Sequence, residues 1–163
     1  MKKVEISLSL IEADDAKELA DSEQELIKIS RQMTTQAYAP YSGFYVGAAV
    51  LLENGEIVLG SNQENAAYPS GLCAERVAVF AASAKYPNVK IKAIAISGNS
   101  RSRDIGHPVT PCGACRQVML EYEVKQQEPV KIYLSGHSGK IFVIEKVQDL
   151  LPLSFTSKEL ENL

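Results

Sequence analysis

The chain has no apolar run long enough to cross a bilayer. Its longest nearly uncharged stretch, Val46 to Leu52, falls far short of the roughly 20 residues a spanning helix needs. A secretory leader is not legible either: Lys2 and Lys3 are basic, but Glu5, Ser7 and Ser9 interrupt the apolar core, and no small-residue cleavage site follows. The expected location is cytoplasmic, with no membrane partner. There is no basic excess, with 17 Lys and Arg against 20 Asp and Glu and a formal net charge of -3. Without a polybasic run, gripping a phosphate backbone is not the expected business of the domain, and no nucleic-acid partner is expected. Three cysteines, an odd number, make no disulfide framework. Internal repeats, low-complexity tracts and Pro/Gly/Ser linkers are also missing. What remains is a 163-residue chain, 45% apolar and 23% charged, near the average for one soluble globular domain. Size scaling gives roughly 8,000 Å² of folded surface against about 26,000 Å² extended, enough burial for one core.

Local patterns order the chain. Val4, Ile6, Leu8 and Leu10 alternate with Glu5, Ser7 and Ser9, a period of two that predicts an extra strand in an N-terminal extension of about 20 residues. Ser22 with Glu25 resembles a capping box, and Leu26, Ile29, Met33 and Ala37 recur at helical spacing, predicting a helix from Ser22 to Ala37 that Pro40 ends. Phe44 to Leu52 and Glu56 to Asn62 form a hairpin through Asn54-Gly55. An alanine-rich helix runs from Leu72 to before Pro87. A buried strand follows over Ile91 to Ser97, then a polar stretch from Gly98 to Thr110 that carries Arg101 and Arg103 and reads as a solvated loop. A third helix from Cys112 to Tyr122, strands over Val130–Leu134 and Ile141–Glu145 and a short helix over Val147–Leu151 complete the pattern. The expected fold is α/β: a three-layer α/β/α sandwich with a mixed, roughly five-stranded sheet and the added N-terminal strand, the catalytic domain occupying residues 21–163.

All three cysteines fall at predicted helix starts: Cys73-Ala74-Glu75, and Pro111-Cys112-Gly113-Ala114-Cys115. A C-x-x-C pair supplies two thiolates for one metal. A third from a neighbouring helix makes three, one short of the closed tetrahedral shell of a structural zinc. His107 and His137 are the remaining candidates for the fourth place, so the count alone leaves the shell open or closed. Glu75 tips the reading toward chemistry: a zinc-activated water must lose a proton, and a carboxylate two residues past a ligand can sit beside that water without ligating. The competing reading is an ordinary first-turn glutamate facing the helix dipole.

Cys73-Ala74-Glu75 followed by Pro111-Cys112-x-x-Cys115 resembles the signature of zinc-dependent nucleobase deaminases. The neighbouring segments narrow the resemblance: Tyr41-Ser42-Gly43-Phe44-Tyr45-Val46-Gly47-Ala48-Ala49, Asn62-Gln63-Glu64-Asn65-Ala66-Ala67-Tyr68, Cys73-Ala74-Glu75-Arg76 and Pro111-Cys112-Gly113-Ala114-Cys115-Arg116-Gln117. Together they are similar to the small homotetrameric cytidine deaminases of pyrimidine salvage, over about Ala37 to Phe155.

The resemblance implies one Zn²⁺ per chain held by Cys73, Cys112 and Cys115, with water or hydroxide as fourth ligand. Three thiolates leave that centre a net charge of about -1, and Arg76, one turn beyond Cys73, is the implied counterweight. The implied reaction converts cytidine or deoxycytidine to uridine or deoxyuridine and ammonia, with Glu75 as proton shuttle. Implied substrate contacts are the Ala74 N–H to the base carbonyl, the Thr110 carbonyl to the amino group, Asn62 and Glu64 to the ribose 3′-hydroxyl, Phe44 against the base, and Phe155 from a neighbouring subunit. Three other readings compete: a blasticidin-type antibiotic deaminase, a nucleic-acid base editor, and a noncatalytic zinc-stabilised interaction domain. The Asn62-x-Glu64-Asn65-Ala66 segment and Arg76 favour cytidine over the first. Cys at position 73 and the acidic balance count against the second, and Glu75 has no purpose in the third.

Overall fold

A computed structural model describes residues 1–160. Six strands form one mixed sheet: β1 (Ile11–Ala13), β2 (Phe44–Leu52), β3 (Ile57–Ser61), β4 (Ile91–Ser100), β5 (Lys131–Ser135) and β6 (Ile141–Ile144), in the order β1-β6-β5-β4-β2-β3. Only β4 and β5 pair in parallel; the other neighbours are antiparallel. Three α-helices cover the two faces: α1 (Asp21–Met33), α2 (Ala74–Lys85) and α3 (Gly113–Gln126). Leu26 and Ile27 of α1 pack on Ala49, Ala95, Tyr133 and Val143 on one face. On the other, Ala78 and Val79 of α2 and Met119 and Leu120 of α3 pack on Val50, Ile94, Ile96, Ile132 and Leu134. The alternation along β2, where Ala49 faces α1 while Ala48 and Val50 face α2 and α3, is the period-two pattern of a strand buried on both sides. The three-layer sandwich expected from the sequence is thus the observed fold, with six strands where about five plus an N-terminal one were expected.

The hairpin is where Asn54-Gly55 places it, and Gly55 adopts the left-handed φ of +85° that such a turn requires. The N-terminal strand is displaced. It covers Ile11–Ala13 rather than the alternating run Val4 to Leu10, and residues 1–10 are exposed and belong to no ladder. The reason lies in the partner: Ile11 sits opposite Val143, and β6 ends one residue later, so nothing before Leu10 finds a strand to pair with. The arm helps explain an accessible surface of 9546 Å², above the roughly 8,000 Å² expected for a compact chain of this size.

The first helix starts one residue before the predicted Ser22 and takes Ala20, not Ser22, as its cap; the Glu23 carboxylate accepts the Ala20 N–H at 3.1 Å. Its α geometry stops at Met33, where the hydroxyls of Thr34 and Thr35 bond back to the carbonyls of Arg31 (2.7 Å) and Gln32 (2.8 Å) and the chain tightens into a 3-10 turn over Thr34–Gln36. Strand β4 runs on to Ser100, taking the first residues of the expected polar loop. Helix α3 extends to Gln126, where Gln127 closes it in a left-handed conformation. No helix among the described residues is long and apolar enough to cross a membrane.

Candidate metal centre and active site

Strand direction gathers the site. Both β3 and β4 are antiparallel to β2, so they run the same way, and the helices that follow them, α2 and α3, begin at the same end of the sheet. That end, beyond the carboxyl ends of strands, is where open α/β sheets bind ligands. Cys73 is the N-cap of α2 and Cys112 the N-cap of α3. Neither helix start has a side-chain cap, so the free backbone N–H groups and the positive dipole ends point toward the sulfurs.

Helix α2 is seated by a close approach. An added Cβ at Gly60 in β3 would lie 2.5 Å from both the Ala74 carbonyl oxygen and the Ala78 amide nitrogen, so only glycine lets α2 lie on β3 at this depth.

The Sγ atoms of Cys73 and Cys112 are 4.0 Å apart and those of Cys112 and Cys115 3.5 Å apart, all three lying within 4.8 Å of one another. Tetrahedral Zn–S bonds of about 2.3 Å place sulfurs about 3.8 Å apart, so this spacing fits a single zinc ion. Among the described residues these three are the only group of donors close enough to hold a metal. His107 and His137 are exposed and stand outside it, so among the described residues no histidine joins the three sulfurs.

The sulfurs already share charge. The Cys73 thiol is lowered to about 5 by hydrogen bonding with Cys115, with Arg76 and Cys112 adding to the effect against burial. The Cys115 thiol is pushed far up by its bond to Cys73 and by burial. A set with one preferred thiolate is ready to lose its remaining protons to a metal. Arg76 is raised by the Cys73 and Cys115 sulfurs even though burial works the other way, and its buried Nε has no hydrogen-bond partner. An unpaired guanidinium donor beside three sulfurs suits an anionic metal centre.

A cavity of about 730 Å³ opens beside this cluster. Of the residues singled out from the sequence, Cys73, Glu75, Arg76, Cys112, Asn62, Glu64, Phe44 and Thr110 line it. Glu75 is 4% exposed, and burial, reinforced by charge on Cys73, raises its carboxyl above the ordinary carboxylate range. Phe44 is half-buried beside Val46, Ile96 and Val109, an apolar wall suited to a flat ring. Asn62 is tied to β2 at both ends of its amide, accepting from the Val46 N–H at 2.7 Å and donating to the Phe44 carbonyl at 2.9 Å. The Glu64 carboxylate accepts from the Tyr41 N–H (2.9 Å), the Ser42 N–H (3.2 Å) and the Ser42 hydroxyl.

Three residues are placed elsewhere. Cys115 is buried behind the cavity wall, and Ala74 is fully buried in the core. Phe155 is 58% exposed and does not line the cavity of its own chain. Wall residues with no assigned role in the sequence include Val109, which reaches the site from the loop after β4, and Tyr41 and Tyr68, whose rings meet edge-on at 6.2 Å between centroids. The two tyrosines stand inside the motifs quoted above, whereas nothing local marks Val109. Arg101 lies over the Tyr45 ring, 5.5 Å from its centroid, and both Arg101 and Arg103 are exposed, as a solvated loop requires.

Fold and donor set together place the protein among zinc-binding three-layer α/β proteins. Residues 20–128 match the family described as the cytidine and deoxycytidylate deaminase zinc-binding region. A cytidine deaminase of Halalkalibacterium halodurans is 41% identical over 139 residues, 85% of this chain and 98% of the relative. One from Sporosarcina psychrophila is 40% identical over 84% of this chain and 93% of its own. The crystal structure of cytidine deaminase from Burkholderia pseudomallei superposes with a TM-score of 0.70 at 36% identity, covering 84% of this chain and all of that one. The chain belongs to the cytidine and deoxycytidylate deaminase family.

Proposed function

We propose that the protein is a zinc-dependent cytidine deaminase that hydrolyses cytidine and deoxycytidine to uridine and deoxyuridine, releasing ammonia, in cytoplasmic pyrimidine nucleoside salvage. The observation that carries this reading is the buried carboxyl of Glu75 on the cavity wall next to three thiols spaced for one zinc. Cys73, Cys112 and Cys115 would hold the zinc ion, which would supply the Lewis acidity that activates the attacking water. Glu75 takes a proton from that water and delivers it to N3 of the base, then takes the proton of the new C4 hydroxyl and gives it to the departing amine as the C4–N bond breaks. Burial raises its carboxyl above the ordinary carboxylate range, which suits a group that must both accept and return a proton. Arg76 offsets the negative charge of the thiolates.

The base lies against Phe44, its carbonyl on the Ala74 N–H and its amino group on the Thr110 carbonyl. Glu64 accepts the ribose 3′-hydroxyl, and Asn62 offers the amide hydrogen that Phe44 does not use. A carboxylate at this place disfavours a 3′-phosphate, which supports free nucleosides over polymers. The functional unit is a homotetramer in which Phe155 completes a neighbour's site. Its 58% exposure, and that of Tyr41 (52%) and Tyr68 (78%) at the cavity rim, support this arrangement.

The test is ultraviolet-monitored turnover of cytidine and deoxycytidine by the wild type and Glu75→Gln, with zinc counted per chain. The expected result is about one zinc in both proteins and a loss of roughly 10²- to 10⁴-fold in turnover in the variant. No turnover by zinc-loaded wild type overturns the reading, and blasticidin S is then the substrate to offer. Sedimentation as a fully active monomer overturns the tetramer.

A further inference from the structure

One face of α3 grips the segment that follows β6 at three points. At its far end the buried carboxylate of Glu123 accepts the N–H groups of Val147 (2.7 Å) and Gln148 (2.9 Å), and also that of Val130 (2.8 Å), which fixes the 3-10 turn Val147–Leu150. Two turns nearer the cysteines, Arg116 donates through Nη1 to the Leu150 carbonyl at 2.9 Å. The same guanidinium donates through Nε to the Pro111 carbonyl, also at 2.9 Å. Gln117, the next residue, donates to the Phe155 carbonyl at 2.9 Å. Between these last two anchors Leu153 is held at φ +58°, a left-handed conformation that leucine adopts only when its surroundings impose it.

Arg116 therefore joins the turn that precedes α3 to the segment that follows β6. Pro111 is buried and lies directly between Thr110 and Cys112, both on the cavity wall, while Leu150 begins the run to Phe155. The planar guanidinium fork serves two acceptors in different directions at once, which a lysine ammonium on a flexible stem does not reproduce.

We propose that Arg116 is a positioning residue: by holding the Pro111 and Leu150 carbonyls on one rigid group, it sets the Thr110–Cys112 turn and the Phe155-bearing segment in fixed relation, with Gln117 locking the far end. This rests on the reading that Phe155 serves substrate binding in a neighbouring subunit. Its consequence is that the contribution of Phe155 to nucleoside affinity passes through Arg116.

The experiment is a double-mutant cycle of Arg116→Lys and Phe155→Ala in the zinc-loaded, full-length protein, reading kcat and KM for cytidine, zinc per chain and tryptic cleavage within residues 151–160. Arg116→Lys is expected to keep one zinc, raise KM about tenfold as one or two hydrogen bonds are lost, change kcat less than about threefold, and speed cleavage. In the Phe155→Ala background the same change is expected to raise KM less than about twofold. Equal KM effects in both backgrounds overturn the proposal, as does a loss of melting temperature or zinc with KM unmoved. Gln117→Ala, which leaves the Pro111 contact intact, is expected to speed cleavage and raise KM less than Arg116→Lys; cleavage unchanged in both variants also overturns it. Failure of wild-type turnover defeats the reading of the site instead, and the cleavage comparison then decides the clasp alone.

Discussion

Ser42 ties Glu64 to Phe44. Its hydroxyl donates to the Glu64 carboxylate and accepts the Phe44 N–H at 3.0 Å, so one side chain ties the group proposed for the ribose to the backbone of the residue proposed for the base. That hydroxyl is also the first cause of the lowered Glu64 pKa, with the Tyr41 and Ser42 N–H groups adding to it. A carboxyl so held is shifted below its ordinary 4.5. Ser42→Ala is expected to raise KM about three- to tenfold with little change in kcat. In the wild type KM should stay flat from pH 7 down to about 4.5, whereas in the variant the rise with acidity should begin at higher pH. Steady-state kinetics across that range checks both.

Removal of zinc should cost stability as well as activity. Cys73 stands at the start of α2, and Cys112 and Cys115 at the start of α3, so an ion bound to all three links the two helices only in the folded state. With free zinc near a thousand times its dissociation constant, the linkage is worth about 4 kcal/mol, or a fall of roughly 10 °C in melting temperature on chelation. Calorimetry with and without chelator, followed by zinc add-back, measures it.

Gly60→Ala should damage the site from a distance. The new methyl would meet the backbone of Ala74 and Ala78, which cannot move without shifting the start of α2, and Glu75 moves with it. Overpacking of this kind costs about 1–3 kcal/mol, so a fall of about 5 °C in melting temperature with a reduced kcat is expected. Gly113→Ala is the control: nothing lies within 4 Å of the added carbon, and stability should be unchanged within about 0.5 kcal/mol.

Glu23 gives the fold a pH-dependent contact. Burial, the largest single influence, works to raise its pKa, but hydrogen bonds from the Tyr133 hydroxyl (2.5 Å) and the Ala20 N–H, with the charge of Lys131, hold it below 4.5. A depressed carboxyl contributes stability above its unfolded pKa and loses it as pH falls through the folded one. Glu23→Gln is therefore expected to lose about 1–2 kcal/mol at pH 7, the gap to wild type narrowing below pH 4.5. Urea denaturation at pH 7 and pH 4 reads the difference.

The sequence by itself determined the elements and most of the chemistry. Asn54-Gly55 fixed the hairpin, Pro87 bounded α2, and cysteines placed at two helix starts with Glu75 between them named the donor set, because turns, caps and ligand spacing are short-range matters. The cap of α1 was misread because Ser22 and Ala20 differ by two residues, and a reaching Glu23 decided between them. The N-terminal alternation was equally local and equally real, yet it paired only from Ile11, since a strand needs a partner and β6 is four residues long. Only the tertiary structure decided that the sulfurs of Cys73 and Cys112 would meet, that Val109 would wall the cavity, that Asn62 would spend half its amide on β2, and that Arg116 would bridge Pro111 to Leu150. Those contacts depend on strand directions and sheet order, which set which distant segments share an end of the sheet and which no window of neighbouring residues contains.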